Sequence, residues 1–484
     1  MQPSFLKSWS ISVFLIGCRS NKFCCAQRRA EEMDLTGLSH LFVTVFLSGF
    51  ASFTVVPSIT DVTMLALCPG QDECSLAIYL TGCQQAIIGL GAMIITPLIG
   101  NLSDVYGRKE LLTLPMTLSI LPLVIMAYST TTSFFYAYFF IRTLTAMVGE
   151  GSINCLALAY VADKVPDGQR ASAFGILAGV GSAAFVCGTL AARFLSTAAT
   201  FQVAAVMSMI AAVYMRVFLK ESIPNGDGLR QPMLNGTPHG DLEKTTTQAF
   251  KRIPSIGDLI CLMKSSTTFS QATVVSFFNG LAEGGIIASL LYFLKARFHF
   301  NKNQYADLLL IFGVAGTISQ LLFMPMLAPA IGEEKLLSIG LFMNCSNIFF
   351  NSIAWSVWVP YAATVFSIFT VFVQPSIRSI VSKQVGPTEQ GKSQGCISGI
   401  SSLATIVSPL IFSPLTALFL SEEAPFPFPG FSIMCIGFAT FVNYRLWELD
   451  ESHAVMQMIA FIQSIMIWGV PSSHKTDNKQ TTEA

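Results

Sequence analysis

Long apolar segments separated by short polar links dominate this chain. No charged residue occurs from Ser75 to Gly100 or from Leu111 to Thr132. A helix needs about 20 mostly apolar residues to cross the hydrocarbon core of a membrane. The apolar runs are continuous, whereas the strands of a membrane β-barrel alternate apolar and polar residues. The pattern therefore predicts an all-α membrane protein.

Twelve such segments are long enough to predict membrane spans, in two sets of six. They cover residues 37–58, 75–100, 110–129, 134–160, 171–192, 200–218, 267–294, 304–327, 336–355, 357–381, 394–419 and 430–446. The segment between the sets is rich in Pro, Gly, Asn and Thr, which indicates a flexible linker. The predicted organisation is an extension, a first bundle, a linker, a second bundle and a tail, at residues 1–36, 37–218, 219–266, 267–446 and 447–484.

Composition agrees with this interpretation. The chain is 52% hydrophobic and only 12% charged, whereas soluble domains have roughly a quarter of their residues charged. Because no soluble domain of useful size remains and the net charge is zero, nothing indicates a nucleic-acid partner. Membrane lipid is the expected surrounding.

The distribution of Lys and Arg predicts the orientation, because these residues favour cytoplasmic loops. With a cytosolic N-terminus, 23 of the 28 basic residues fall on the cytosolic side. Four lie on the opposite side, at Arg193, Lys295, Arg297 and Lys302, and Arg142 lies inside a span. Both termini are therefore predicted to be cytosolic, in either the plasma membrane or an endomembrane.

The link between the second and third spans has the form G-x-L-x-D-x-x-G-R-K, from Gly100 to Lys109. Gly100 and Gly107 allow a tight turn and a close approach of helices. Asp104 suits a helix N-terminus, where the helix dipole favours a carboxylate, and Arg108 can bind a carboxylate with its fork. The simpler alternative is that Arg108 and Lys109 serve only as topology anchors.

With this loop, the chain resembles the major facilitator superfamily of secondary transporters, and in particular its tetracycline-efflux-like and hippocampus-abundant-transcript-like branch. The segments Phe-Leu-Lys-Glu-Ser at 218–222 and Glu-Gln-Gly-Lys-Ser-Gln-Gly at 389–395 add to the resemblance. It implies two pseudo-symmetric six-helix bundles that alternate access to a central cavity. It also implies that Asp104 and Arg108, with Asp163 as a further partner, hold the cytosolic side shut. The fifth span lacks the Gly-Pro pair that is typical of antiporters in this family. The resemblance therefore implies transport but does not imply antiport.

An internal repeat supports two related halves. Residues 100–114 align without gaps with residues 325–339, so that Gly107 corresponds to Gly332. The link after span 4, ending at Arg170 to Gly175, likewise matches the link after span 10, ending at Gln390 to Gly395. The second copy of the loop has lost the Asp and the Arg.

Charges inside spans are the next signal, since each costs roughly 2.5 to 3.5 kcal/mol on insertion scales. Arg142 and Glu150 lie in span 4, and Glu283 lies in span 7 with Asn279 one turn away. The resemblance implies that helices 1, 4, 7 and 10 line the cavity, which makes these residues candidates for proton coupling. The alternative is an Arg142 ion pair that only locks the bundle.

The sequence favours a proton-coupled transporter of a small solute. Drugs of the tetracycline type, sugars and organic ions are all candidate substrates. A transporter-like receptor that binds a solute without moving it is the alternative. No nucleophile, phosphate or metal motif indicates an enzyme, a cofactor or a metal site. Cys68 and Cys74 form a candidate disulfide, and a start at Met33 is a plausible explanation for residues 1–32.

Overall fold

The computed structural model describes residues 35–67, 75–222, 266–300, 302–421 and 424–448. Within these ranges the chain is almost entirely helical and contains no strand. The predictions for residues 1–32, for Cys68 and Cys74, for most of the linker and for most of the tail lie outside the described residues.

The first half of the described chain forms helices that match the first six predicted spans. They are α1 (Leu35–Leu67), α2 (Ser75–Tyr106), α3 (Arg108–Tyr128), α4a (Thr132–Gly149), α4b (Ser152–Lys164), α5 (Arg170–Phe194) and α6 (Thr197–Phe218). Within this half, α1 packs against α5 and α6, and α3 packs against α4a and α6.

The second half repeats this organisation. Its helices are α7 (Thr267–Phe298), α8a (Lys302–Ile318), a π-helical turn (Ser319–Phe323), α8b (Met324–Ile331), α9 (Glu333–Ser352), α10a (Trp358–Phe366), α10b (Val373–Lys383), α11 (Gln390–Leu420) and α12 (Phe431–Glu448). Here α7 packs against α11 and α12, and α9 packs against α12. The two halves meet mainly where α2 contacts α11 and where α5 contacts α8a and α8b.

Ten of the twelve predicted spans are long and apolar enough to cross a membrane in the described part of the chain. The other two predicted spans, 336–355 and 430–446, are present as the helices α9 and α12. They are the shorter and more polar helices of the bundle, because α9 contains Asn344, Asn347 and Asn351 and α12 ends in charged residues. The count of twelve spans is therefore supported for ten of them.

Span 4 is broken rather than continuous, which differs from the prediction of one helix over 134–160. The break lies at Glu150 and Gly151, between α4a and α4b. Gly151 has a φ of 88°, in the left-handed region that glycine adopts without steric cost. Glu150 has an extended backbone, so that its carboxylate projects from a helix end and not from a helix face.

The two copies of the repeated loop have the same backbone. Gly107 has φ 98° and ψ 151°, and Gly332 has φ 89° and ψ 152°. Each glycine lies directly before a helix, α3 in the first half and α9 in the second. The repeat in the sequence therefore corresponds to a repeat in structure, and we refer to this end of the bundle as the Gly107 end.

Four helices are fully packed only toward the Gly107 end. No residue is exposed in segments 38–51 of α1, 155–162 of α4b, 271–282 of α7 or 367–382 across α10b. We refer to these four segments as the closed layer. Exposure begins directly beyond it, at Ser52, Asn154, Glu283 and Phe366. The helices are thus sealed against one another at the Gly107 end and are only partly packed toward the opposite end.

Glycines bring α2 and α11 together at the closed end. A methyl group added to Gly395 would lie 2.9 Å from Cα of Pro97, and one added to Gly399 would lie 3.0 Å from the carbonyl oxygen of Met93. Gly391 is packed against the backbone of Gly100 so closely that no side chain fits at either position. This four-residue spacing of small residues allows the close contact of helix backbones that is common in membranes.

We expect Gly391→Ala to open the Gly107 end. The added methyl group collides with Gly100 and Arg108, and over-packing of this kind costs about 1 to 3 kcal/mol. Cys155 is fully buried and donates to the Gly391 carbonyl at 3.9 Å. With the other cysteines replaced by serine, its labelling by a small thiol reagent should become at least about tenfold faster.

Gly386→Ala is the matched control, because a methyl group at Gly386 meets no atom within 4 Å. It should leave the labelling rate of Cys155 unchanged. Equal labelling of Cys155 in the Gly391→Ala protein and the unaltered protein would contradict the role of this glycine contact.

Candidate functional site

Arg108 is the centre of a buried polar cluster at the Gly107 end. Its Nε donates to Oδ2 of Asp163 at 3.0 Å, and its Nη2 donates to Oδ1 of Asp104 at 2.5 Å. Its Nη1 donates to Oγ of Ser103 at 2.5 Å, so that all three nitrogens of the fork are used. We refer to the group as the Arg108 cluster, which comprises Ser103, Asp104, Arg108, Asp163, Glu221 and Ser222.

The carboxylates of the Arg108 cluster carry more negative charge than Arg108 alone balances. Arg108 is only 1% exposed, and the side chains of Asp104 and Asp163 are each 7% exposed. With Glu221, which binds backbone N–H groups, the cluster contains three carboxylates and one guanidinium. Two helix N-termini lie against the cluster, and each supplies roughly half a positive charge. The cluster is therefore balanced by helix ends as well as by Arg108.

Glu221 supplies the first of these contacts, at the N-terminus of α3. The backbone N–H groups of Arg108 and Lys109 donate to its two carboxylate oxygens at 2.7 and 3.1 Å. A side chain at Gly107 would begin 2.6 Å from Oε2 of Glu221, so both the positive φ and the cap require glycine there. The Lys109 side chain is partly exposed and forms no ion pair with the described residues.

Ser222 connects this cap to the acidic side of the cluster. Its Oγ donates to Oδ2 of Asp163 at 2.7 Å, and its backbone N–H donates to Glu221 at 3.0 Å. Asp163 is the next-to-last residue of α4b. The end of α4b, the start of α3 and the segment after α6 are thereby joined within the first half.

Asp104 supplies the second helix-end contact, and it crosses between the halves. The backbone N–H groups of Gly391 and Lys392, in the first turn of α11, donate to Oδ1 and Oδ2 of Asp104, each at 2.9 Å. Such N–H groups have no partner within their own helix. Asp104 therefore caps a helix of the second half while it binds Arg108 of the first, and Gly100 lets the two backbones approach.

The second half carries a related but different set of contacts. Glu333, which follows Gly332, forms an ion pair with Lys383 at the end of α10b. In the repeat alignment Glu333 takes the place of Arg108, so the sense of the charge pair is reversed. Arg170 of the first half donates to the carbonyl of Ser382 at 3.1 Å, which places a cation at the C-terminal end of α10b, where the helix dipole favours it.

The charged and polar residues predicted inside the spans differ in their exposure. Glu150 and Glu283 are exposed and Arg142 is partly exposed, whereas Asn279 is buried with 6% exposure. The reason is their position: Glu150 lies at the helix break, and Glu283 lies just beyond the closed layer. No ion pair of Arg142 and no hydrogen bond between Asn279 and Glu283 occurs among the described residues. The structure therefore separates these residues from the Arg108 cluster.

Sequence reasoning missed the roles of Ser103, Glu221, Ser222 and the first turn of α11. Glu221 is 113 positions from Arg108 along the chain, so no local spacing connects them. One signal was available, because Glu221 and Ser222 follow span 6 directly and so belong to the same layer as the loop at Gly107. The segment 389–395 was noted for its sequence but not for its helix N-terminus.

The sequence of this chain matches a known protein family. The family model of the Major Facilitator Superfamily matches residues 41–263 and 272–457. The human hippocampus abundant transcript 1 protein is 23% identical over 81% of this chain and 75% of its own length. The class H tetracycline resistance protein of Pasteurella multocida is 26% identical over 70% of this chain and 80% of its own length.

Solved structures show the same fold. The crystal structure of the human organic anion transporter MFSD10 (TETRAN) aligns with a TM-score of 0.66 at 17% identity, covering 85% of this chain and 98% of its own. A bacterial homologue of the iron transporter ferroportin, in an outward-facing state, aligns with a TM-score of 0.62 at 13% identity over the same shares. The resemblance drawn from the loop is thereby confirmed: this chain is a multi-pass membrane protein that belongs to the major facilitator superfamily of transporters.

Proposed function

We propose that this protein is a proton-coupled secondary transporter of a small solute, which works by alternating access between the bundles at 37–218 and 267–446. The observation that supports this most strongly is the position of Asp104. It binds Arg108 in one half and caps α11 of the other, at the end where the closed layer lies. A contact that must break for this end to open is what alternating access requires.

The Gly107 end is proposed to face the cytosol, on the basis of the Lys and Arg distribution. In this orientation the described conformation is closed to the cytosol. Gly100, Asp104, Gly107, Arg108, Lys109 and Asp163 then act as the cytosolic gating motif. A receptor that only binds a solute has no need for a contact that opens and closes, so the contact between Asp104 and α11 favours transport over sensing.

Proton coupling is proposed to involve Glu283, with Glu150 as the second candidate. Glu283 is the first exposed residue of α7 beyond its closed segment. Movement of one half relative to the other would change the exposure of Glu283, and burial favours the protonated form of a carboxylate. Arg142 and Asn279 complete the proposed coupling region. The substrate is proposed to be a drug-like molecule, a sugar or an organic ion.

The proposed orientation predicts cytosolic tags. An epitope inserted in the 219–266 linker should resist protease in sealed, right-side-out cells and be digested only after permeabilisation. Epitopes at both termini should behave in the same way. Digestion of the linker epitope in intact cells would reverse the orientation.

Asp104→Asn should reduce transport while leaving the protein folded. Loss of charge-assisted hydrogen bonds of this type costs about 1.5 to 3 kcal/mol, so we expect at least about a tenfold lower rate of labelled-solute counterflow in proteoliposomes. Arg108→Ala should resemble it.

Glu221→Gln is the matched control, because Glu221 also caps a helix but joins elements of the first half only. This substitution should lower the free energy of unfolding by about 1 kcal/mol, and the variant should retain most of the transport. The contact between Asp104 and α11 is not the gate if folded Glu221→Gln protein loses transport as Asp104→Asn does. The same conclusion follows if Asp104→Asn and Arg108→Ala both transport normally.

Glu283→Gln should abolish the dependence of uptake on pH, because glutamine cannot exchange a proton. Binding of the transported solute at equilibrium should survive in part. Glu150→Gln provides the comparison at the helix break, and we expect the smaller effect there. Uptake with unchanged pH dependence in both variants would exclude these two carboxylates as the proton site.

A further inference from the structure

Arg378 in α10b is a buried cation that the gating motif and the coupling region do not use. It is 6% exposed. Its Nη1 donates to the carbonyl oxygen of Gln394 at 2.9 Å, to Oε1 of Gln394 at 3.3 Å and to Oγ of Ser398 at 3.0 Å. Its Nε and Nη2 have no hydrogen-bond partner, and it forms no ion pair, among the described residues. One edge of the fork is therefore unoccupied.

The equivalent position of the first half carries no charge. Arg170 and Gln390 are equivalent in the repeat, and each donates to a carbonyl at the equivalent place, Val165 or Val385. By the same offset, Arg378 corresponds to Leu158 in the closed layer of the first half. Leu158 is buried at 5% exposure, so an apolar residue packs well at this place.

A charge buried in a membrane-spanning bundle is costly unless it is paired. The hydrogen bonds from Gln394 and Ser398 are to neutral groups, which compensate less than a carboxylate does. Their geometry holds Nη1 in place and leaves the Nε and Nη2 edge free. This is the edge of a guanidinium that binds a carboxylate or a phosphate with two parallel hydrogen bonds.

Arg378 lies beside the seam between the two halves. Its hydrogen-bond partners are on α11, whose glycines pack on α2. Gly391, in the first turn of α11, accepts a hydrogen bond from the thiol of Cys155 in α4b at 3.9 Å. Gln394 and Ser398 belong to the same half as Arg378, so separation of the halves leaves the bonds that position Arg378 intact.

We propose that Arg378 is an anion-binding residue of the conformation that is open at the Gly107 end, and that the solutes it takes are organic anions with a carboxylate or phosphate group. The proposal rests on the alternating access proposed above and names the chemical class of its substrate. In the closed conformation Arg378 is 6% exposed and is bound to α11. In the open one its Nε and Nη2 hold the anion.

The test measures binding to the purified full-length protein by the shift of its thermal unfolding midpoint. Benzoate, citrate and inorganic phosphate are the probes, and benzamide is the neutral counterpart of benzoate. At least one anion should stabilise the protein, since a ligand stabilises the state it binds, whereas benzamide should not. In the Asp104→Asn protein the same anion should bind more tightly, because the open conformation is more populated.

Arg378→Leu, which introduces the residue found at the equivalent position of the first half, should remove the stabilisation by the anion. Arg378→Lys keeps the charge but loses the fork, and its apparent Kd should be at least about tenfold weaker. Arg216→Leu is the control, because Arg216 is an exposed arginine paired with Glu110. It should bind the anion as the unaltered protein does.

The proposal is overturned if no anion stabilises either the unaltered protein or Asp104→Asn, or if stabilisation persists in Arg378→Leu. If Arg378→Leu does not fold, unchanged affinity in Arg378→Lys overturns it. Binding to purified protein needs neither transport nor a proton gradient. If no anion binds while Asp104→Asn lowers transport as predicted, the anion site is rejected and the transporter is kept. If an anion binds but Asp104→Asn transports normally, only the proposed transport mechanism is rejected.

Discussion

In the proposed mechanism, the closed conformation depends on the contact between the Asp104 carboxylate and the N-terminus of α11. It pairs a buried anion with two backbone N–H groups that no residue of α11 can satisfy. Asp104 is at the same time an ion-pair partner of Arg108, so the capping of α11 is coupled to the Arg108 cluster of the first half. Helix ends and side-chain charges are thereby parts of one hydrogen-bond network that reaches the interface between the halves.

The asymmetry between the halves gives this contact its importance. Gly107 and Gly332 have almost the same backbone conformation, yet Pro329 stands where the repeat would place an Asp104 equivalent. The second crossing contact instead comes from Arg170, which donates to a carbonyl at the end of α10b. A carboxylate at a helix N-terminus and a guanidinium at a helix C-terminus are both favoured by the helix dipole, so these two contacts of opposite sign both stabilise the closed end.

Much of the fold could be predicted from sequence, because a membrane span has a strong compositional signal and the loop at Gly100 to Lys109 has a strict spacing. The break at Glu150 could not be placed, since glycines at 149 and 151 are compatible with a continuous helix as well as a broken one. Glu221 and the first turn of α11 were missed because their contacts join distant parts of the chain. The exposure of Glu283 depends on how the halves pack, which no local pattern encodes.

Distance measurement between spin labels at Tyr106 and Thr388 tests the central claim most directly. Both positions are exposed and lie on opposite sides of the seam at the Gly107 end. In lipid nanodiscs, the labelled protein should give one dominant short distance, and the same protein with Asp104→Asn should add a second, longer population. Identical distance distributions in the two proteins would contradict the account, because they would show that the Asp104 cap does not hold the halves together.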